Sequence, residues 1–120
     1  MDAVTTVQTL KDRARAFRDA RNWAQFHDPK NLAAALAIEA AELQELFLWK
    51  NQAEAAALAE GEPGRARLRE EAADVFLFLL HFAEATGLDL SDAVAEKLRV
   101  NEQKYPVDRS FNSHHKYSEL

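Results

Sequence analysis

Two stretches decide the fold. The first is Leu32-Ala-Ala-Ala-Leu36-Ala-Ile38-Glu39-Ala-Ala-Glu42-Leu43-Gln-Glu45-Leu46, and the second is Glu71-Ala-Ala-Asp74-Val75-Phe76-Leu77-Phe78-Leu79-Leu80. Leu32, Leu36, Leu43 and Leu46 recur at helical spacing and form one apolar stripe. At about 100° per residue, Glu39 falls in the middle of that stripe and Glu42 about 60° to one side. In the second stretch Glu71 is flanked angularly by Val75, Phe78 and Phe82, and Asp74 follows at i+3. Residues at i and i+3 face one way, roughly 5–6 Å apart at Cβ. Each helix therefore aims two carboxylates in among Leu and Phe.

Working outward, four helices are expected. The first runs from Thr5 or Thr6 to Asn22, on the stripe Val7, Leu10, Ala14 and Phe17, with a threonine as cap. Asp28-Pro29-Lys30-Asn31 interrupts it, and Asn31 is the expected N-cap of a helix from Leu32 to Lys50. Asn51 to Gly64 reads as a linker because of Gly61, Pro63 and Gly64, its Ala run making at most a short extra turn. A third helix spans Arg65 to Thr86 and stops at Gly87. A fourth follows Asp89 and Ser91 and ends at Lys104, before Pro106. Residues 107–120 are expected to be an irregular tail. With no strand pattern and no repeat, the fold class is all-α, a four-helix bundle in a single domain over residues 1–120.

Composition narrows the function. Three Gly and three Pro among 120 residues suit long helices. A net charge of −5 argues against bulk nucleic acid as partner. No apolar run approaches the roughly 18 residues of a membrane span, and Met1 to Lys11 lacks a hydrophobic signal core, so a cytoplasmic protein is expected. The absence of Cys removes disulfides, thiolate zinc sites and Cys nucleophiles. No two His residues share i, i+4 spacing, and His27 and His81 read as isolated, which argues further against zinc.

The inward acids carry the chemistry. Unpaired buried carboxylates are costly, and four together repel. Either they are protonated or a cation neutralises them. An all-oxygen set suits Mg²⁺, with Mn²⁺ as substitute. The alternative is that these acids reach solvent or pair with Lys and Arg. Two pairs on consecutive antiparallel helices, both centred on apolar stripes, weigh against it. Glu45, Glu54, Glu60, Glu84 and Glu102 serve as controls that read as solvated, and Glu70 is ambiguous.

Written as Glu39-x-x-Glu42 and Glu71-x-x-Asp74 separated by 28 residues, the motif resembles the signature of the MazG-like, all-α nucleotide pyrophosphohydrolases. Trp23 through Leu32, Glu42 through Lys50, Asn101 through Pro106 and the ending Lys116 to Leu120 are similar to the dCTP pyrophosphatase branch. The resemblance implies hydrolysis of a nucleoside triphosphate between the α and β phosphates, to monophosphate and pyrophosphate, with dCTP or modified dCTP as substrate. It implies Mg²⁺ on Glu39, Glu42, Glu71 and Asp74, and a base and sugar pocket that includes Trp23 and Trp49. Lys97, Asn101 and Tyr105 are implied near the phosphates and the pocket, and homodimers or homotetramers with the site at a subunit contact. Two positions depart from the branch: Ala14 stands where it has a His, and Phe78, still expected at the pocket, where it has a Tyr. On chemical grounds Glu39 or Glu42 is the expected general base. Lys97, Lys104, Arg109 and Lys116 are candidates for the leaving pyrophosphate.

Two other readings compete. A carboxylate di-iron bundle would use Glu-x-x-His pairs, and none occurs. A non-catalytic helical interaction module would tolerate neutral replacements of the four acids.

Overall fold

The chain was described from a computed structural model covering residues 1–120. It is all-helical, with six α-helices rather than the four expected, and two short 3-10 turns. The backbone forms two compact units, Met1–Gly87 and Leu88–Leu120.

In the first unit, Thr6 is extended and its hydroxyl oxygen accepts from the Thr9 amide at 3.0 Å, which starts α1 (Val7–Ala20). The helix stops short of Asn22, which turns into the left-handed region at φ 52°, a conformation Asn tolerates. A 3-10 turn, Trp23–Phe26, follows.

The next helix starts earlier than the sequence reading placed it. Asp28, not Asn31, is the N-cap of α2 (Pro29–Glu45), its carboxylate accepting from the Asn31 amide at 2.8 Å. Pro29 occupies the first turn, where its missing N–H leaves nothing unpaired. The far end also differs, because α2 ends at Glu45 and not at Lys50. Leu46, Phe47 and Leu48 tighten into i→i−3 bonds, and Trp49 leaves the helix at φ 65°. The cause lies just downstream. Asn51 is extended and forms a capping box with Glu54, and this nucleates α3 (Gln52–Glu60) where a linker was expected.

Gly64 begins α4 (Gly64–Thr86) at a close approach to α3. A Cβ there would lie 2.3 Å from the Leu58 carbonyl oxygen. Gly87 ends α4 at φ 69°, as the sequence indicated. This helix packs against α1, α2 and α3, and most extensively against α2. The buried core is small: Ala14 of α1, Leu32 of α2, and Leu80 and Ala83 of α4.

In the second unit, Asp89 caps α5 (Leu90–Lys104) by accepting from the Asp92 amide at 2.9 Å. The expected irregular tail contains a one-turn α6 (Val107–Ser110) and a 3-10 turn, Tyr117–Glu119. Tyr117 meets Tyr105 edge to face at 6.1 Å, with the Lys104 ammonium 4.8 Å above the Tyr117 ring. These contacts tie the last turn to the end of α5. No helix is long and apolar enough to cross a membrane.

With so few buried side chains, each one matters. Leu32→Ala should lower the unfolding free energy by about 2–4 kcal/mol. Val4→Ala, at an 81% exposed position, should change it by less than about 0.5 kcal/mol. Urea unfolding midpoints check both.

Candidate active site

Helix phase brings together the acids that the stripes singled out. Glu39 and Glu42 lie one turn apart on α2, and Glu71 and Asp74 one turn apart on α4. All four are half-buried. One carboxylate oxygen from each of Glu39, Glu42 and Glu71 falls within 4.8 Å of the others. Asp74 stands beside this triad and adds its charge to Glu39 and Glu71. Among the controls, Glu45, Glu54, Glu60 and Glu102 are exposed, and the ambiguous Glu70 is exposed too. Glu84 differs from its solvated expectation. It is half-buried and pairs with Arg15 of α1 at 2.9 Å.

No cation of the protein answers this negative charge. None of the ion pairs involves the four acids. Glu39 Oε2 and Glu71 Oε2 are buried with no hydrogen-bond partner. Burial raises the Glu39 carboxyl above its ordinary 4.5, and the adjacent Glu42, by hydrogen bonding and charge, then Asp74 and Glu71, raise it further. Glu71 is raised likewise, first by burial, then by Glu42, Asp74 and Glu70. Orphaned oxygens on rigid helices, all hard donors, fit a hard divalent cation.

Beside the cluster lies a cavity of about 680 Å³, between α1, the 3-10 turn and α4. Its apolar walls include Leu10, Phe17, Trp23, Leu77 and Phe78, and Asp74 belongs to its lining, so cavity and carboxylates adjoin. Trp23 is 45% exposed and meets Phe17 edge to face at 5.9 Å. Trp49 lies in the turn after α2, 92% exposed and outside the cavity lining. Lys97, Asn101, Lys104 and Tyr105 lie on or at the end of α5, and Lys116 precedes the terminal 3-10 turn, all in the second unit.

Sequence reasoning missed one feature. His27 and His81, which read as isolated, both line the cavity, with ring centroids 4.6 Å apart. The available signal was the spacing of Asp74, Phe78 and His81, which places all three on one face of α4.

Residues 34–120 match the MazG-like family. The chain belongs to this family. Among its MazG-like relatives, dCTP pyrophosphatase 1 of Rattus norvegicus is 41% identical over 115 residues, covering 96% of this chain and 68% of the relative. The Homo sapiens dCTP pyrophosphatase 1 is 37% identical over 123 residues, with the same coverage. The crystal structure of a pyrophosphatase from Archaeoglobus fulgidus superposes with a TM-score of 0.77 at 39% identity, covering 82% of this chain and 91% of that one.

The raised carboxyls have a stability consequence of definite sign. Between 4.5 and the raised values the fold holds more protons than the unfolded chain. Ionisation of Glu39 and Glu71 therefore opposes folding, fully above the raised values, less as pH falls through them, and not at all below 4.5. His27 and His81, lowered from 6.5 mainly by burial, pull the other way below 6.5. In metal-free protein, Glu39→Gln should raise Tm at pH 7, and its advantage should shrink as pH is lowered towards 4.5. Calorimetry of both proteins across that range checks this, and a constant difference would contradict it.

Proposed function

We propose that this chain is a divalent-metal-dependent nucleoside triphosphate pyrophosphohydrolase. The proposed substrate is dCTP or a modified dCTP, cleaved between the α and β phosphates. One observation carries the reading. Carboxylates of Glu39, Glu42 and Glu71 converge from two helices with buried, unpartnered oxygens, and Asp74, which stands beside them, lines an aromatic-walled cavity. The four dCTP pyrophosphatase relatives support the base and the bond cleaved.

Glu39, Glu42, Glu71 and Asp74 would hold Mg²⁺, with Mn²⁺ as substitute. When bound, the ion neutralises triphosphate charge and polarises the phosphoryl group under attack. The remaining work falls to the chain's own side chains. Glu39 or Glu42 takes the proton of the attacking water; at Glu39 burial raises the carboxyl's proton affinity, which suits the role. The water oxygen bonds to the α-phosphorus, and the bond from phosphorus to the β-phosphate bridging oxygen breaks to release pyrophosphate. Trp23, Phe17 and Phe78 offer ring surfaces for the base. Lys97, Asn101 and Tyr105 are assigned to the substrate on family resemblance, and Lys97, Lys104, Arg109 and Lys116 to the leaving pyrophosphate on their positive charge. Trp49, outside the lining of the cavity, is assigned to the base and sugar pocket on family resemblance.

Association into a homodimer or homotetramer is part of this reading. On α5, Val94 and Leu98 lie one turn apart, 58% and 56% exposed, and the second unit has no buried residue of its own. A partner copy would cover that surface. A soluble nucleotide substrate is the ground for placing the protein in the cytoplasm.

Purified protein with dCTP and Mg²⁺ should release dCMP and pyrophosphate, followed by ³¹P NMR, and EDTA should stop it. Release of dCDP and orthophosphate, or no release from any (d)NTP, would refute the reading. Glu42→Gln and Asp74→Asn should each lower kcat/KM by about 100-fold or more and abolish the rise in Tm on adding Mg²⁺. Glu45→Gln should do neither. Equal loss in all three would refute the site.

A further inference from the structure

The cavity has a polar corner that the hydrolytic chemistry does not use. His27 follows the 3-10 turn and His81 lies on α4, and their rings meet edge to face with planes at 76°. Phe78 also meets the His81 ring, at 6.2 Å. No protein group hydrogen-bonds either imidazole, and His27 Nδ1 is buried without a partner. Only four buried side-chain polar atoms in the chain lack a partner. Two belong to the proposed metal site, one is Ser110 Oγ in the second unit, and the fourth is in this imidazole pair. Native chains leave few such atoms unsatisfied, and those that remain call for a ligand or another explanation.

Apart from the Trp23 indole N–H, a donor only, the other polar groups on the wall are charged. Arg18 is paired with Asp19 at 2.8 Å, Asp74 stands at the carboxylate cluster, and Arg13 is exposed. The imidazoles differ. Burial and the charge of Arg18 hold both below their ordinary value, with His27 adding to this at His81 and Glu84 opposing it. At neutral pH each ring therefore offers one N–H donor and one bare acceptor nitrogen. Such a group suits the edge of a neutral heteroaromatic ring better than an anion.

We infer that His81, packed against His27, reads the hydrogen-bonding edge of the nucleobase in this cavity. The inference rests on the reading of the cavity as a base site given above. Aromatic walls alone accept any base, because every base has a π-face. Discrimination needs a hydrogen-bonding group that a wrong base leaves unpaired. His81 is that group, and His27 is a positioning residue that fixes the plane of its ring. Both positions lie outside the metal cluster, so they act on which base is held and not on the bond cleaved.

Two measurements test this separately from the activity. Protein in Mg²⁺ is titrated with each of the four deoxynucleoside monophosphates, and the imidazole Cε1–H resonances are followed by NMR after assignment with His27→Gln and His81→Phe. The His81 resonance should shift with dCMP while those of His114 and His115 stay in place. Absence of any His81 shift with all four nucleotides overturns the inference, even in an active hydrolase. A His81 shift in a protein that releases no pyrophosphate supports the base site and overturns the hydrolytic reading instead. In the active enzyme, His81→Phe should lower kcat/KM for dCTP at least about 10-fold, mainly through KM, and bring the dCTP to dTTP ratio of kcat/KM close to one. His81→Gln, which keeps a donor and an acceptor, should recover part of that ratio. An unchanged ratio in His81→Phe, or no base preference in the wild type, overturns the inference.

Discussion

Mutual repulsion among carboxylates is the constraint on which the rest of this structure depends. Glu39, Glu42 and Glu71 bring oxygens within 4.8 Å of one another with no arginine or lysine between them. Loops would let such groups swing apart into water. Helices do not, because the backbone fixes where each Cβ points. The acids stay together only because α2 and α4 are pressed against each other by apolar contact on the same faces. Leu32 on α2 and Leu80 and Ala83 on α4 are buried, and α4 packs most extensively against α2. The cluster is thus held in a strained charge state by packing, the condition under which a cation gains most by entering.

The long-range placement follows from helix ends more than from helix interiors. Asp28 and Pro29 set where α2 begins and hence the rotational phase at which Glu39 and Glu42 emerge. The same junction carries His27 back to α4, after the 3-10 turn has placed Trp23 against Phe17. The Asn51–Glu54 capping box ends the excursion of α2 and starts α3, and Gly64 permits the close approach from which α4 departs. Each of these devices is local and weak, yet together they determine which faces meet.

What was legible in the sequence divides along that line. The four acids were visible because their signal is local: an i, i+3 pair on an apolar stripe needs only one helix to be interpreted. Thr6, Asp89 and Gly87 were visible for the same reason. The sequence offers Asn31 as a cap because Asp28 and Asn31 are both good cap residues, and only the backbone decides for Asp28. The sequence extends α2 through Trp49 because no residue between Leu46 and Lys50 breaks a helix. The break is imposed from outside, by the capping box that follows. The Arg15–Glu84 pair and the His27–His81 contact join residues far apart in the chain, so no spacing rule reports them.

Stability and function are coupled at Asp74. It extends the acidic cluster on one side and lines the aromatic cavity on the other. Neutralising the cluster by substitution would relieve repulsion between α2 and α4, and so strengthen the fold while removing the cation site. A cation relieves the same repulsion without removing the site. On the proposed reading the metal-loaded state would then be more stable than the metal-free one, the charge that opposes folding becoming the attraction that holds the ion.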